Sequence, residues 1–162
     1  MKRLISLIVN GDRHELYLDS RRTLLDVLRH ELDLVGAHRG CDAGDCGACT
    51  VQVDGLPMTS CLLLAADYDG AEIKTVEGVG VNASNGQMHP VQRALVEKGG
   101  IQCGFCTPGI VMNALALLQE KPHANEAEVR AWLAGNLCRC TGYVKIVEAV
   151  GDVVASAAGE AT

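Results

Sequence analysis

Eight cysteines are the residues of this sequence whose type and spacing could do chemistry. Thiolate sulfur is a soft ligand that selects zinc, copper(I) or iron–sulfur clusters. The cysteines fall into two groups of four: Cys41, Cys46, Cys49 and Cys61, then Cys103, Cys106, Cys138 and Cys140. No cysteine is left over, so each group could supply one complete four-sulfur site.

The first group has the spacing of a plant-type [2Fe–2S] site, because four residues separate Cys41 from Cys46 and two separate Cys46 from the next cysteine. A loop that wraps a cluster and points its amides at sulfur needs residues that tolerate unusual φ and ψ angles. Three glycines supply that freedom: Gly40, Gly44 and Gly47. We expect the fourth ligand, Cys61, to reach the site from the end of a strand over 57–61, which follows a turn at Asp54-Gly55.

The second group consists of two close pairs, Cys103 with Cys106 and Cys138 with Cys140. A single residue between the last two thiolates forces a tight turn, which differs from a common zinc ribbon. Each pair precedes a predicted helix, so both helix N-termini should direct free amides and positive dipole ends at the sulfurs. A second [2Fe–2S] cluster is the preferred interpretation, and a structural zinc ion is the alternative.

The composition indicates an acidic globular protein. The 162 residues carry a formal net charge of −6, which argues against binding nucleic acid through its phosphates. The apolar run at 4–9 is too short for a signal peptide or a membrane span. We therefore predict a cytoplasmic protein without a membrane span, in which thiols stay reduced and disulfides are disfavoured.

The pattern of the first 77 residues predicts a small mixed sheet with one helix. The helix is predicted over 23–32, between the second and third strands. Strands are predicted near 4–9, 14–18, 50–53, 57–61 and 72–76. We assign residues 1–77 to a ferredoxin-type domain that holds the first cluster.

Residues 78–88 are rich in glycine and asparagine and are predicted to form a linker. Residues 89–162 have a helical period, so the fold class is α+β, with a C-terminal four-helix bundle. Its helices are predicted near 90–97, 107–121, 125–135 and 143–155, with Thr107 as the cap of the second. That second helix is apolar on nearly every side over 110–118, and it should be the buried one.

Three motifs, in this order, closely resemble the iron–sulfur (small) subunit of molybdenum hydroxylases, the xanthine dehydrogenase family. They are CDAGDCGACT at 41–50, QCGFCTPG at 102–109 and GNLCRCTGY at 135–143. The resemblance extends from the first strand to about Val150, and no ligand position departs from it. It implies that the N-terminal domain is a plant-type ferredoxin-like β-grasp domain and that the four-helix bundle holds the second cluster.

The resemblance implies a non-catalytic redox subunit of a molybdenum-containing oxidoreductase. In such enzymes, electrons pass from a molybdopterin cofactor in a large partner subunit to the helical-domain cluster and then to the plant-type cluster. They continue to FAD in a medium partner subunit or to another acceptor, and the assembly is expected to be a dimer of heterotrimers. By position, Gln102 and Cys140 would contact the pterin, through the side-chain amide and the ligand sulfur.

Two other functions stay open at this point: a stand-alone two-cluster ferredoxin-like carrier and a zinc-stabilised binding module. The five histidines lack ligand spacing and are interpreted as surface or capping residues: His14, His30, His38, His89 and His123. The substrate cannot be read from this chain. Purines and other N-heteroaromatics, aldehydes, carbon monoxide and an aromatic coenzyme A thioester are all compatible with it, and the final electron acceptor is equally open.

Overall fold

The computed structural model describes residues 1–80 and 87–159. Most of the predicted linker, 81–86, lies outside the described residues. Within the described ranges, no helix has the length and apolar character needed to cross a membrane. The described part of the chain is a sheet domain followed by a helical domain, which agrees with the predicted α+β class.

The N-terminal domain is a five-stranded mixed sheet with one helix, α1 (Leu24–His30). Its strands are β1 (Lys2–Val9), β2 (Asp12–Asp19), β3 (Thr50–Val53), β4 (Leu56–Thr59) and β5 (Glu72–Lys74). Their order is β2-β1-β5-β3-β4, and only the β1–β5 pairing is parallel. The predicted ferredoxin-like sheet is therefore confirmed.

Local sequence explains the strands and their turns. Alternate β1 residues Ile5, Leu7 and Val9 point into the core and are almost fully buried, as a half-buried strand requires. The β1–β2 turn places Asn10 at φ 53° and its neighbour at φ 95°, and both residue types accept this left-handed region. Helix α1 begins after Thr23, whose hydroxyl accepts a hydrogen bond from the amide of Asp26 at 3.1 Å.

Four helices form the C-terminal domain: α2 (Pro90–Glu97), α3 (Thr107–Glu120), α4 (Glu126–Leu133) and α5 (Val144–Gly159). Helix α4 begins with a capping box: the Asn125 side chain accepts from the Glu128 amide at 3.1 Å, and the Glu128 side chain accepts from the Asn125 amide at 2.9 Å. Helix α2 has a capping box too, with His89 at the N-cap. This confirms His89 as a capping residue.

The structure corrects several predicted boundaries. Thr107 is the first residue of α3 and not its cap, because Cys106 occupies the N-cap position. Cys61 lies in a 3₁₀ turn, Ser60–Leu62, and not at the end of β4, which stops at Thr59. Helix α5 continues through Gly159, past the end predicted near 155.

Helix α3 is buried, as its composition predicts, and this chain itself covers it. Strand β3 is buried along its whole length: Val51 and Val53 enter the core of the sheet domain. On the other face of the strand, the side-chain amide of Gln52 donates to the Met112 carbonyl of α3 at 3.3 Å. The two domains are therefore packed directly against each other through β3 and α3.

Candidate metal centres

The first cysteine group lies in the loop between α1 and β3, with Cys61 arriving from the 3₁₀ turn after β4. Between Cys41 and Cys49, three residues lie in the left-handed region: Asp42 at φ 54°, Gly44 at φ 81° and Gly47 at φ 68°. This curvature turns backbone amides toward sulfur, and the amide of Ala43 donates to Cys41 Sγ at 3.3 Å. The loop conformation predicted from the glycines is confirmed at Gly44 and Gly47.

Burial differs across the first group. Cys41 is exposed, and hydrogen bonds from the amides of Ala43 and Cys46 lower the pKa of its thiol to about 7. Cys61 is buried, and desolvation together with the neighbouring Cys49 sulfur raises the pKa of its thiol to about 11. Metal binding would overcome the raised pKa of the Cys61 thiol, because a thiol that coordinates a metal ion is deprotonated outright.

The second group lies at the start of the bundle, before α3 and before α5. Cys106 is the N-cap of α3, so the free amides of that helix begin beside it, as predicted. The last cysteine, Cys140, is separated from α5 by Thr141, Gly142 and Tyr143. The start of α5 at Val144 agrees with the helix predicted from about 143, but of these two helices only α3 begins right beside its cysteine pair.

The segment between Cys140 and α5 forms hydrogen bonds with the predicted ligand Cys138. The Thr141 hydroxyl lies 3.2 Å from Cys138 Sγ, and the Tyr143 hydroxyl accepts from the Cys138 amide at 2.8 Å. Burial raises the pKa of the Cys138 thiol, but hydrogen bonds from Thr141 and the Cys140 amide lower it by more. The more buried Cys106 has a thiol pKa raised to about 12, chiefly by desolvation. Sequence reasoning missed Thr141 and Tyr143, although both stand in the third motif.

In each group the sulfurs approach one another as two pairs. Cys41 contacts Cys46 and Cys49 contacts Cys61, while Cys106 contacts Cys138 and Cys103 lies 3.4 Å from Cys140. All eight cysteines lie within the described residues and are free thiols. No three His, Cys, Asp or Glu side chains of the described ranges are grouped around one metal-ion position. Two thiolates per metal is the donor set that a [2Fe–2S] cluster takes on each iron, so the residues present fit that cofactor.

The loop that carries Cys41, Cys46 and Cys49, residues 38–49 (the first loop), touches both segments of the second group, residues 102–106 and residues 135–140 (the second loop). The amide of Leu137, next to Cys138, donates to the Cys46 carbonyl at 2.9 Å. His38 connects the first loop to the segment 102–106. Its ring stacks on the Phe105 ring at 4.7 Å between centroids, and its Nδ1 lies 2.8 Å from the Phe105 carbonyl. His38 is thus more than the surface residue that the sequence predicts, and neither contact could be read from spacing.

The outer edges of the two groups are accessible. Cys103 and Cys140 are exposed, and Gln102 is exposed beside them. In the N-terminal domain, the Arg39 guanidinium donates to both carboxylate oxygens of Asp42 at 2.6 Å and also forms an ion pair with Asp26 of α1. These bonds restrain the exposed part of the first loop. Each group therefore has an exposed side and a side buried in the core of its own domain, with Cys49 and Cys61 in the sheet domain and Cys106 in the helical domain.

Fold and site together define a two-domain iron–sulfur protein of the electron-transfer class. Residues 7–74 match the family described as "2Fe-2S iron-sulfur cluster binding domain", and residues 75–151 match the "[2Fe-2S] binding domain" family. These matches favour two [2Fe–2S] clusters over the zinc alternative for the second group.

Similar proteins point to one family. The chain is 48% identical over 153 residues to caffeine dehydrogenase subunit gamma of Pseudomonas sp. (strain CBB1), covering 93% of this chain and 90% of that one. It is 46% identical over 151 residues to the xanthine dehydrogenase iron–sulfur-binding subunit of Escherichia coli O157:H7, covering 91% and 92%. The crystal structure of quinoline 2-oxidoreductase from Pseudomonas putida 86 superposes with a TM-score of 0.91 at 41% identity, covering 98% of this chain and 97% of that one.

The chain belongs to the family of small [2Fe–2S] subunits of molybdenum hydroxylases, the xanthine dehydrogenase and aldehyde oxidoreductase family. It is an iron–sulfur electron-transfer subunit with two [2Fe–2S] domains, and it works as part of a multisubunit oxidoreductase. The predicted subunit function is confirmed over the stand-alone carrier.

Proposed function

We propose that each cysteine group holds one [2Fe–2S] cluster with the ligands that the spacing predicts. The first cluster takes Cys41, Cys46, Cys49 and Cys61 within a domain of residues 1–77. The second takes Cys103, Cys106, Cys138 and Cys140 within a domain of residues 89–162. The pairing of the sulfurs within each group supports this assignment.

We propose an order for the two sites, from a molybdopterin cofactor in a large partner subunit to the helical-domain site and then to the plant-type site. When bound, each cluster takes up and releases one electron at a time. The chain's contribution is to bury the inner edges, aim amides at sulfur and keep the two loops in contact through Cys46 and Leu137. The exposure of Cys103 and Cys140 in one group and of Cys41 in the other gives each site an accessible side for a partner, and the direction is the one that the resemblance to molybdenum hydroxylases implies.

We propose that Gln102 and Cys140 contact the pterin, the first through its side-chain amide and the second through its sulfur. Both are exposed on the same edge of the second group, where a partner-held cofactor can approach them. An amide side chain offers both a donor and an acceptor, which suits the polar edge of a pterin ring.

The proposed assembly is a dimer of heterotrimers in the cytoplasm. It contains this chain, the large molybdopterin-binding subunit and a medium FAD-binding subunit or another acceptor. Eight free thiols in two ligand sets favour a reducing compartment. The named relatives act on different compounds, so we propose a substrate no more specific than a purine, another N-heteroaromatic compound or an aldehyde.

The tagged chain, isolated from cells with the subunits that accompany it, tests this proposal. We expect molybdenum and flavin to co-purify with it, and a preparation free of molybdenum would contradict the assembly. A panel of purines, N-heteroaromatic compounds and aldehydes then identifies a substrate that reduces the clusters.

Replacement of Gln102 tests the proposed pterin contact. In a Gln102→Ala complex, we expect slower cluster reduction by that substrate and unchanged reduction by dithionite. Gln119→Ala, at an exposed glutamine near the end of α3, is the matched control and should leave both rates unchanged. Equal rates in Gln102→Ala and the control would count against the contact.

A further inference from the structure

Asn136 is a buried polar residue that occupies the junction between the two cysteine loops. Only 1% of its surface is exposed, and it stands two positions before Cys138. Its side-chain nitrogen donates to the carbonyl of Gly47 at 3.0 Å, across the boundary between the two domains. Its side-chain oxygen accepts a hydrogen bond from the side-chain amide of Asn113 on α3. One side chain thus joins the second loop, helix α3 and the first loop.

Around this junction, backbone segments lie so close together that Gly47 and Gly109 have no room for a side chain. A Cβ atom at Gly109, in the first turn of α3, would lie 2.2 Å from the Gly47 carbonyl oxygen. A Cβ at Gly47 would lie 2.3 Å from the Gly135 carbonyl oxygen. Gly47 itself stands between the predicted ligands Cys46 and Cys49. The carbonyl that Asn136 holds is therefore part of the loop that surrounds the first site.

The Gly47 carbonyl also accepts two hydrogen bonds from within its own domain. The Thr50 hydroxyl donates to it at 2.7 Å and the Thr50 amide at 3.1 Å. These bonds fix the direction of the Gly47 carbonyl relative to β3, and the Asn136 amide then fixes the second loop relative to that carbonyl. Since a buried carbonyl and amide must be satisfied, rotation of one domain against the other would break this network.

We propose that Asn136 is a positioning residue that sets the distance and orientation between the two [2Fe–2S] sites. This inference rests on the proposed ligand assignment. Within the described residues, the Asn136 side chain forms hydrogen bonds with Asn113 and Gly47 and none with a cysteine sulfur, and its role is to hold the second loop against the first through the Gly47 carbonyl. Asparagine suits the position because it donates and accepts at once.

The test is the magnetic splitting between the two clusters in the purified, dithionite-reduced complex, measured by electron paramagnetic resonance. Dipolar splitting depends on the inverse cube of the distance between the spins and on their orientation, so it reports the positioning directly. Two variants are compared with the unmodified complex. Asn136→Ala removes both hydrogen bonds, and Asn136→Asp keeps the size and the acceptor but, as a carboxylate, lacks the donor to Gly47.

We expect both variants to retain two clusters by iron and sulfide content and to show an altered splitting. Asn125→Ala is the matched control, because Asn125 caps α4 in the same bundle without reaching the first domain. It should lower the melting temperature and leave the splitting unchanged. If either Asn136 variant keeps both clusters with the original splitting, the inference is wrong. If the unmodified complex itself contains fewer than two clusters, the ligand assignment fails instead, and the two failures are distinguishable.

Discussion

The two cysteine groups form similar four-sulfur sites by different means. The first site draws three cysteines from one continuous loop, Cys41 to Cys49, and adds one from the 3₁₀ turn beside it. The second draws two pairs from segments separated by the whole of α3 and α4. Left-handed residues shape the backbone at both sites, including Gly44 and Gly47 in the first and Gly104 and Gly142 in the second. The second site depends in addition on the docking of helices, which brings its two segments together.

This difference indicates which site depends on tertiary structure. A loop shaped by its own glycines and by the Arg39–Asp42 bonds keeps much of its form when distant contacts loosen. A site assembled from two helix-linked segments loses its geometry as soon as the bundle opens, because loop closure over a long segment must be complete before the sulfurs meet. We therefore expect the second site to be the more sensitive to mutation at the domain junction.

The largest expected effect is that of Cys106→Ser. The replacement removes a proposed ligand, buried at the N-cap of α3, so the helical-domain cluster should be absent and turnover of the complex should stop. Cys61→Ser is the counterpart in the first domain and should remove the other paramagnetic signal while the helical-domain signal persists. Full activity in Cys106→Ser would contradict the relay.

Gly109→Ala should destabilise the protein by about 1–3 kcal/mol, because the new methyl group meets the Gly47 carbonyl and the domains must shift apart. Urea unfolding followed by the visible absorbance of the clusters measures this. Gly151→Ala, in α5 with open space around it, is the control and should stabilise by about 0.5–1 kcal/mol. If both variants had the same effect, the close approach of α3 to the first loop would not matter.

Tyr143→Phe should lower the free energy of unfolding by about 1 kcal/mol, because the Cys138 amide loses its hydroxyl acceptor. The spectral change should be confined to the helical-domain cluster. Tyr17→Phe, at an exposed tyrosine of β2, gives the reference. A change in the plant-type signal of Tyr143→Phe would argue against separate control of the two sites.

The smallest expected effect concerns pH and the start of α2. Burial, with a smaller contribution from the charge of Lys74, lowers the pKa of His89 below its ordinary value of 6.5. The neutral ring accepts from the Val91 amide, so this contribution to stability is complete above pH 6.5 and declines as the pH falls from 6.5 through the lowered pKa. His89→Asn keeps an acceptor that does not titrate, and melting temperatures from pH 7.5 to 5 should fall less steeply in the variant. Identical slopes would show that His89 does not contribute.

The sequence was informative where chemistry and local conformation coincide. The cysteine spacing predicts two groups of four sulfurs, and the structure brings the members of each group together. The Asn125–Glu128 capping box and the Asn10-Gly11 turn likewise rest on short-range sequence signals. Such features depend on residues a few positions apart, so the pattern carries them.

Contacts between distant segments could not be predicted in the same way. Nothing in the spacing shows that Gly109 meets Gly47, that Asn136 spans the junction, or that His38 stacks on Phe105. The cap of α3 was misassigned to Thr107 because threonine is the common capping residue, whereas the loop geometry puts Cys106 at that position. These contacts arise from the packing of one domain on the other, which a one-dimensional pattern does not record.

The most direct test of the two-cluster claim is a combined assay of iron, acid-labile sulfide and paramagnetic signals in the purified complex. Two distinct [2Fe–2S] signals should appear after full reduction, with two irons and two sulfides for each. Zinc in place of iron, disulfides among the eight cysteines, or a single signal at full reduction would contradict it.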